Sequence, residues 1–167
     1  MSVNTLAGAF LGGKRMTESG PDGMDTPCPE TTMEMEIEGR CHCGAIAYEA
    51  IVDPKAAGLC HCTDCQTLSG SPFRASVPAK AEHFRILRGQ PKIYVKTAES
   101  GAKRSQAFCA DCGTPIYSAA SDNPTQYNLR LGAVKQRAQI PPQTQAWCGS
   151  ALPWAQHVEG LPPSPDD

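Results

Sequence analysis

The sequence predicts a mainly β domain, built from short antiparallel strands with little helix. Glycine and proline number 15 each and only 19% of residues are charged, so turns interrupt the chain too often for long helices. Apolar and polar residues alternate over short runs, the period of a half-buried strand. At 167 residues the chain is long enough for one domain with a sizeable core and too short for two.

Residues 1–34 read as a disordered tail. Ser19-Gly20-Pro21-Asp22-Gly23, with Pro27 and Pro29 beyond, carries neither helical nor strand periodicity. Cys28 lies there as a spare thiol. The domain is expected over residues 35–160, and the proline-rich residues 161–167 form a second tail.

Met33, Met35 and Ile37 alternate with Glu34, Glu36 and Glu38, a strand that Gly39 is expected to turn. Cys41 and Cys43 follow, two apart as if on one strand face, and Gly44 suits a tight turn. Residues 45–52 read as the next strand. Asp53-Pro54 breaks the chain. After Ser69-Gly70-Ser71-Pro72 a strand is expected over residues 73–77. A hairpin of residues 83–87 and 92–96 is expected around Arg88-Gly89-Gln90-Pro91. Residues 99–103 read as a polar loop. Further strands are expected at 104–108, 116–117 and 127–131. Trp147 and Trp154 are expected to anchor packing in the core or in a lid.

Several classes are excluded. A formal net charge of −2 offers no basic surface for nucleic acid. No apolar run is long enough to span a membrane. The run from Leu6 to Gly13 is short, and Lys14 and Arg15 follow it rather than precede it, which argues against a secretory signal. Nine cysteines is an odd number, and in 167 residues it falls below the roughly 8–10% of disulfide scaffolds. A cytoplasmic, reducing setting follows, in which clustered cysteines point to metal.

The cysteines fall in short-spaced groups. Cys41 and Cys43, with Cys109 and Cys112, form two pairs separated by a long insertion, the pattern of a closed four-thiolate zinc site that clamps distant segments together. Cys60, Cys62 and Cys65 supply three ligands and leave a position open, as catalytic zinc is held. Cys148, Cys28, His42 and His157 are conceivable fourth ligands that would close the site. His61 is adjacent in sequence and would point away. Three thiolates on Zn²⁺ leave a charge near −1, which suits accepting a substrate thiol better than activating water. Asp64, Gln66, Thr67, Ser69 and Gly70 could bond the sulfurs or fix the loop. Arg74, Arg85, Lys103 and Arg104 are candidate cations for a carboxylate-bearing thiol.

Gly39-Arg40-Cys41-His42-Cys43-Gly44 with Tyr48, then Cys60-His61-Cys62-Thr63-Asp64-Cys65-Gln66 through Ser69-Gly70, then Phe108-Cys109-Ala110-Asp111-Cys112-Gly113-Thr114-Pro115, occur in that order. With Trp147 and Leu152-Pro153-Trp154, they resemble the glutathione-dependent formaldehyde-activating family, also called the centromere-protein-V/GFA domain. The resemblance implies a β-tent fold of coiled antiparallel sheets and two Zn²⁺ per chain. Cys41, Cys43, Cys109 and Cys112 would hold the structural zinc; Cys60, Cys62 and Cys65 would hold the catalytic one. It implies a carbon–sulfur lyase whose small-molecule partners are glutathione, or another thiol, and formaldehyde, or another small aldehyde. The alternatives are a non-catalytic, zinc-stabilised protein-binding module and a redox protein using Cys62 and Cys65.

Overall fold

In a computed structural model of the chain, the structure describes residues 33–98 and 100–160. Most of the expected N-terminal tail, Cys28 within it, and the expected tail 161–167 lie outside the described residues. The mainly β, antiparallel, helix-poor architecture that the sequence predicts is the one the chain adopts.

Strands β1 (Met35–Arg40) and β2 (Ala47–Val52) form the first hairpin. The alternation that predicts β1 is kept, with Ile37 buried between exposed Glu36 and Glu38. Gly39 does not turn the chain. It lies inside β1 opposite Tyr48, and a Cβ there would sit 1.9 Å from the Tyr48 ring. The ring is fully buried, so it must shift within the core to admit a methyl group. Gly39→Ala is therefore expected to cost about 1–3 kcal/mol, the usual range for overpacking. An unchanged denaturant midpoint would show that the ring moves freely.

The chain reverses just after β1. The Gly44 N–H donates to the Cys41 carbonyl at 3.0 Å and the Cys41 N–H to the Ile46 carbonyl at 3.1 Å. Gly44 takes φ +78°, the left-handed region that glycine enters without strain. Cys41 and Cys43 thus sit in a loop rather than on a strand. Loop hydrogen bonds, not the pleat, place their sulfurs.

Then come β3 (Gly58–Cys60), helix α1 (Thr63–Ser69), β4 (Arg74–Arg88), β5 (Lys92–Thr97), β6 (Lys103–Phe108), β7 (Pro115–Ala120), β8 (Gln126–Arg130) and β9 (Thr144–Ala146). The strands run in the order β1-β2-β4-β8-β7-β6-β5, with β3 joining β4 to β9. The two segments expected at residues 73–77 and 83–87 are one strand, β4. Its register against β2 jumps from Ala50↔Phe84 to Val52↔Ala79, an irregularity that bends it.

The hairpin expected between β4 and β5 does not form, because β5 pairs with β6. The turn residues reverse the chain as expected, but pairing is decided by distant strands. This has a geometric consequence. Strands β8, β7 and β6 separate β4 from β5, which is about 19 Å across a flat sheet. The link Gly89–Pro91 reaches at most about 14 Å. The sheet must therefore curl. Phe84 of β4 packs inside the curl, 4.7 Å from Tyr127, 5.4 Å from Tyr117 and 5.6 Å from Tyr48 between ring centroids. Ile37, Val77, Ile116, Leu129, Val134 and Ile140 complete the buried core.

Trp147 and Trp154 do not anchor the core: they are 65% and 61% exposed. Trp147 follows the peripheral strand β9 in a left-handed conformation (φ +58°) that turns it outward. Among the described residues no helix is long and apolar enough to cross a membrane.

Candidate metal centre

The curl of the sheet brings the β1–β2 loop against the β6–β7 turn. There the sulfurs of Cys41, Cys43, Cys109 and Cys112 lie within 4.8 Å of one another. Cys43 Sγ is 3.5 Å from Cys41 Sγ and 3.7 Å from Cys109 Sγ. The second pair is shaped by its own turn. The Cys109 N–H donates to the Thr114 carbonyl, and the Gly113 N–H donates to the Cys109 carbonyl, both at 2.9 Å. The His42 N–H donates to Thr114 Oγ1 at 3.0 Å, which leaves that hydroxyl free to donate to Cys112 Sγ at 3.2 Å. The Ile46 N–H donates to Cys41 Sγ at 3.2 Å.

The four thiols cannot all ionise unaided. The Thr114 hydroxyl and nearby backbone N–H groups hold Cys112 down at about 5. The Ala45 N–H favours the Cys43 thiolate, yet the Cys41 and Cys112 sulfurs push that group up to about 12. A divalent cation among the sulfurs would remove this conflict, and a set of four thiolates fits zinc.

The second cluster forms where β3 runs into α1. Cys60 ends β3, Cys62 caps α1, and Cys65 lies in its first turn. The Cys65 N–H donates to Cys62 Sγ at 3.3 Å, so the sulfur takes the place of the usual capping oxygen. The three sulfurs also lie within 4.8 Å of one another. Burial opposes ionisation of Cys62, but the Cys65 thiol and N–H outweigh it and lower its pKa. Burial, with the Cys62 and Cys60 sulfurs, pushes Cys65 up to about 12. Three thiols again suit a soft divalent cation.

Among the described residues no fourth Cys, His, Asp or Glu joins this trio. Cys148, His42 and His157 are not part of it, and Cys28 lies outside the described residues. His61 points away, as the extended backbone requires. It is buried edge-on to Phe73, with Nε2 2.9 Å from Gln145 Oε1. Gln66 and Ser69 fix the loop rather than bond a sulfur. Gln66 Nε2 donates to the His61 and Ser150 carbonyls at 2.7 and 2.8 Å, and Ser69 Oγ donates to the Cys65 carbonyl at 2.6 Å. Gly70 ends α1 at φ +64°, and Asp64 pairs with Lys96. Thr67 is exposed.

Of the four candidate cations, Arg85 pairs with Glu49 and Lys103 is exposed on β6. Arg104, next along β6, projects to the opposite face from Lys103. Arg74 is buried opposite Cys60. Sequence reasoning missed Arg130, which is buried close to Arg74. Its one signal is a charge inside the apolar run Leu129–Val134. It also missed Gln106 and Gln145, whose type and spacing mark nothing. A cavity of about 700 Å³ opens beside Cys41, His42 and Tyr48, and no residue of the trio lines it. The thiol trio thus lies outside that cleft.

The family model described as "Glutathione-dependent formaldehyde-activating enzyme" matches residues 36–150. A Schizosaccharomyces pombe protein named as an uncharacterized lyase is 31% identical over 104 residues, 60% of this chain and 69% of that relative. A crystal structure of a Rhodobacter sphaeroides protein superposes with a TM-score of 0.51 at 20% identity, over 65% of this chain and 98% of that one, a likeness of fold. The match across both thiol clusters and the strands between them places this chain in the glutathione-dependent formaldehyde-activating enzyme family.

Proposed function

We propose that the chain is a zinc-dependent carbon–sulfur lyase acting on the adduct of glutathione, or a similar thiol, with formaldehyde or another small aldehyde. The observation that carries this reading is the contrast between the two clusters. Four sulfurs converge in one, and three without a fourth protein ligand converge in the other among the described residues. On this reading Cys41, Cys43, Cys109 and Cys112 hold a structural ion, and Cys60, Cys62 and Cys65 hold the catalytic one.

A zinc ion held by the trio would supply a Lewis acid that takes a substrate sulfur as fourth ligand and keeps it deprotonated. The rest of the work falls to the chain. The β3–α1 junction orients the three sulfurs, and Gln66 ties that junction to the segment after β9. The substrate thiol loses its proton to solvent. Its sulfur then forms a bond to the aldehyde carbon while the carbonyl π pair moves to oxygen, which takes up a proton. The reverse breaks the same C–S bond. A reducing, cytoplasmic setting fits seven thiols that must stay reduced.

Calorimetric titration of glutathione into the zinc-loaded chain tests this. Heat from glutathione and none from its disulfide is expected, with S-(hydroxymethyl)glutathione appearing by NMR on addition of formaldehyde. No heat and no product would overturn it. The protein-binding alternative requires a fourth protein ligand at the trio and predicts no affinity for small thiols.

A further inference from the structure

The interior beside the trio holds two positive charges with no negative partner. Arg74 and Arg130 are 6% and 8% exposed. Among the described residues neither pairs with a carboxylate. Both instead reach one neutral acceptor. Arg74 Nη1 donates to Gln106 Oε1 at 3.0 Å, and Arg130 Nη2 donates to the same oxygen at 3.1 Å. Arg130 Nη1 also donates to Ser76 Oγ at 2.7 Å. The Nε–H of each guanidinium is buried without a partner. Burying a charge unpaired costs several kcal/mol, so an arrangement with two such charges calls for an anion.

Strand register shows what lies beside that pair. Arg74 of β4 is directly opposite Cys60 of β3, so both side chains leave the same face about 5 Å apart at Cβ. Ser76, two residues on, shares that face and is opposite Arg130 of β8. Val77 and Leu129 point to the other face, into the core. The guanidinium pair and the trio therefore share one side of the sheet. Burial pulls Arg130 down to about 9, and the Arg74 and Arg104 guanidinium charges push it the same way, while the Cys65 and Cys60 sulfurs favour its charged form. Lys96 is already neutralised by Asp64.

We propose that Arg74 and Arg130, joined through Gln106, are the built-in counter-ions of the trio and select an anionic fourth ligand. The proposal rests on the reading of the trio as a metal site with room for a substrate sulfur. Three thiolates and a divalent cation sum to −1. A neutral fourth ligand leaves that sum unchanged, and a thiolate brings it to −2, which the two buried guanidinium charges offset, while Arg104, two residues from Gln106 on the same face of β6, adds a third positive charge. These positive charges thus favour the thiolate-bound state over one with a neutral fourth ligand. Arg74 and Arg130 act here as positioning charges through the metal site, not as groups that touch the aldehyde.

Gln106→Glu tests this without changing shape, because a carboxylate at the shared acceptor would neutralise one positive charge and strengthen both hydrogen bonds. The full chain would be loaded with cobalt(II), whose sulfur-to-metal absorption reports each added thiolate. It would then be titrated with 2-mercaptoethanol, a thiol with no carboxylate of its own to attract arginine. Wild type is expected to gain a thiolate band. Q106E is expected to bind the probe more weakly, on the order of tenfold or more for one charge at this range. It should also release the trio's metal to a chelator faster, while the four-thiol ion stays. Arg130→Lys should bind near wild type and Arg130→Met should not. If wild type binds the thiol and Q106E binds it equally well, the counter-ion role is overturned. If wild type gains no band, the reading of the trio as an open site falls first.

Discussion

Replacing Cys109 by Ser is expected to unfold the domain. Cys109 is buried, and its sulfur lies in the cluster that ties the β1–β2 loop to the β6–β7 turn. The two joined hairpins lie towards opposite ends of the strand path, so the cluster holds the curl closed. A four-thiolate zinc site contributes about 10–16 kcal/mol to folding in small peptides, as much as the roughly 5–15 kcal/mol of net stability in a typical domain. Loss of one thiolate also leaves a buried hydroxyl among three sulfurs. The expected result is insoluble protein, or soluble protein with no cooperative thermal transition and one metal fewer per chain. A soluble C109S that melts like wild type and retains its metal would overturn the clamp.

Replacing Cys62 by Ser is expected to do the opposite: the fold survives and the chemistry stops. Cys62 caps α1 by accepting the Cys65 N–H. Serine is among the best capping residues, so α1 should keep its first turn within about 1 kcal/mol. On the proposed reading the substitution removes one of three soft ligands, and two thiolates would hold zinc poorly. Metal analysis should show one ion lost per chain, with glutathione binding and product formation at background. Full zinc content together with full activity in C62S would remove the trio from the mechanism. The two variants together test the two proposed roles separately, since a sulfur is lost in both but only the Cys109 cluster joins hairpins distant along the strand path.

Much of this was legible in the sequence because its cause is local. Thiol spacing marked both clusters, since sulfurs two or three residues apart can meet one ion in several backbone conformations. This is why Cys41 and Cys43 converge from a loop although a strand was expected. The alternation of Met35, Ile37 and their glutamates marked β1, because one buried face imposes a period of two. Helix α1 was not legible: seven residues make barely two turns, too few to show a helical period.

The sequence by itself determined the family, the seven clustered thiols and the mainly β character, each carried by residues close along the chain. The tertiary structure alone decided that β5 leaves β4 for β6, that β9 runs parallel to β3, and that Gly39 makes room for the Tyr48 ring. It alone set Arg74 and Arg130 on one glutamine beside the trio. These features depend on which strands lie side by side after the sheet curls, and strand partners are chosen by packing between segments far apart in sequence.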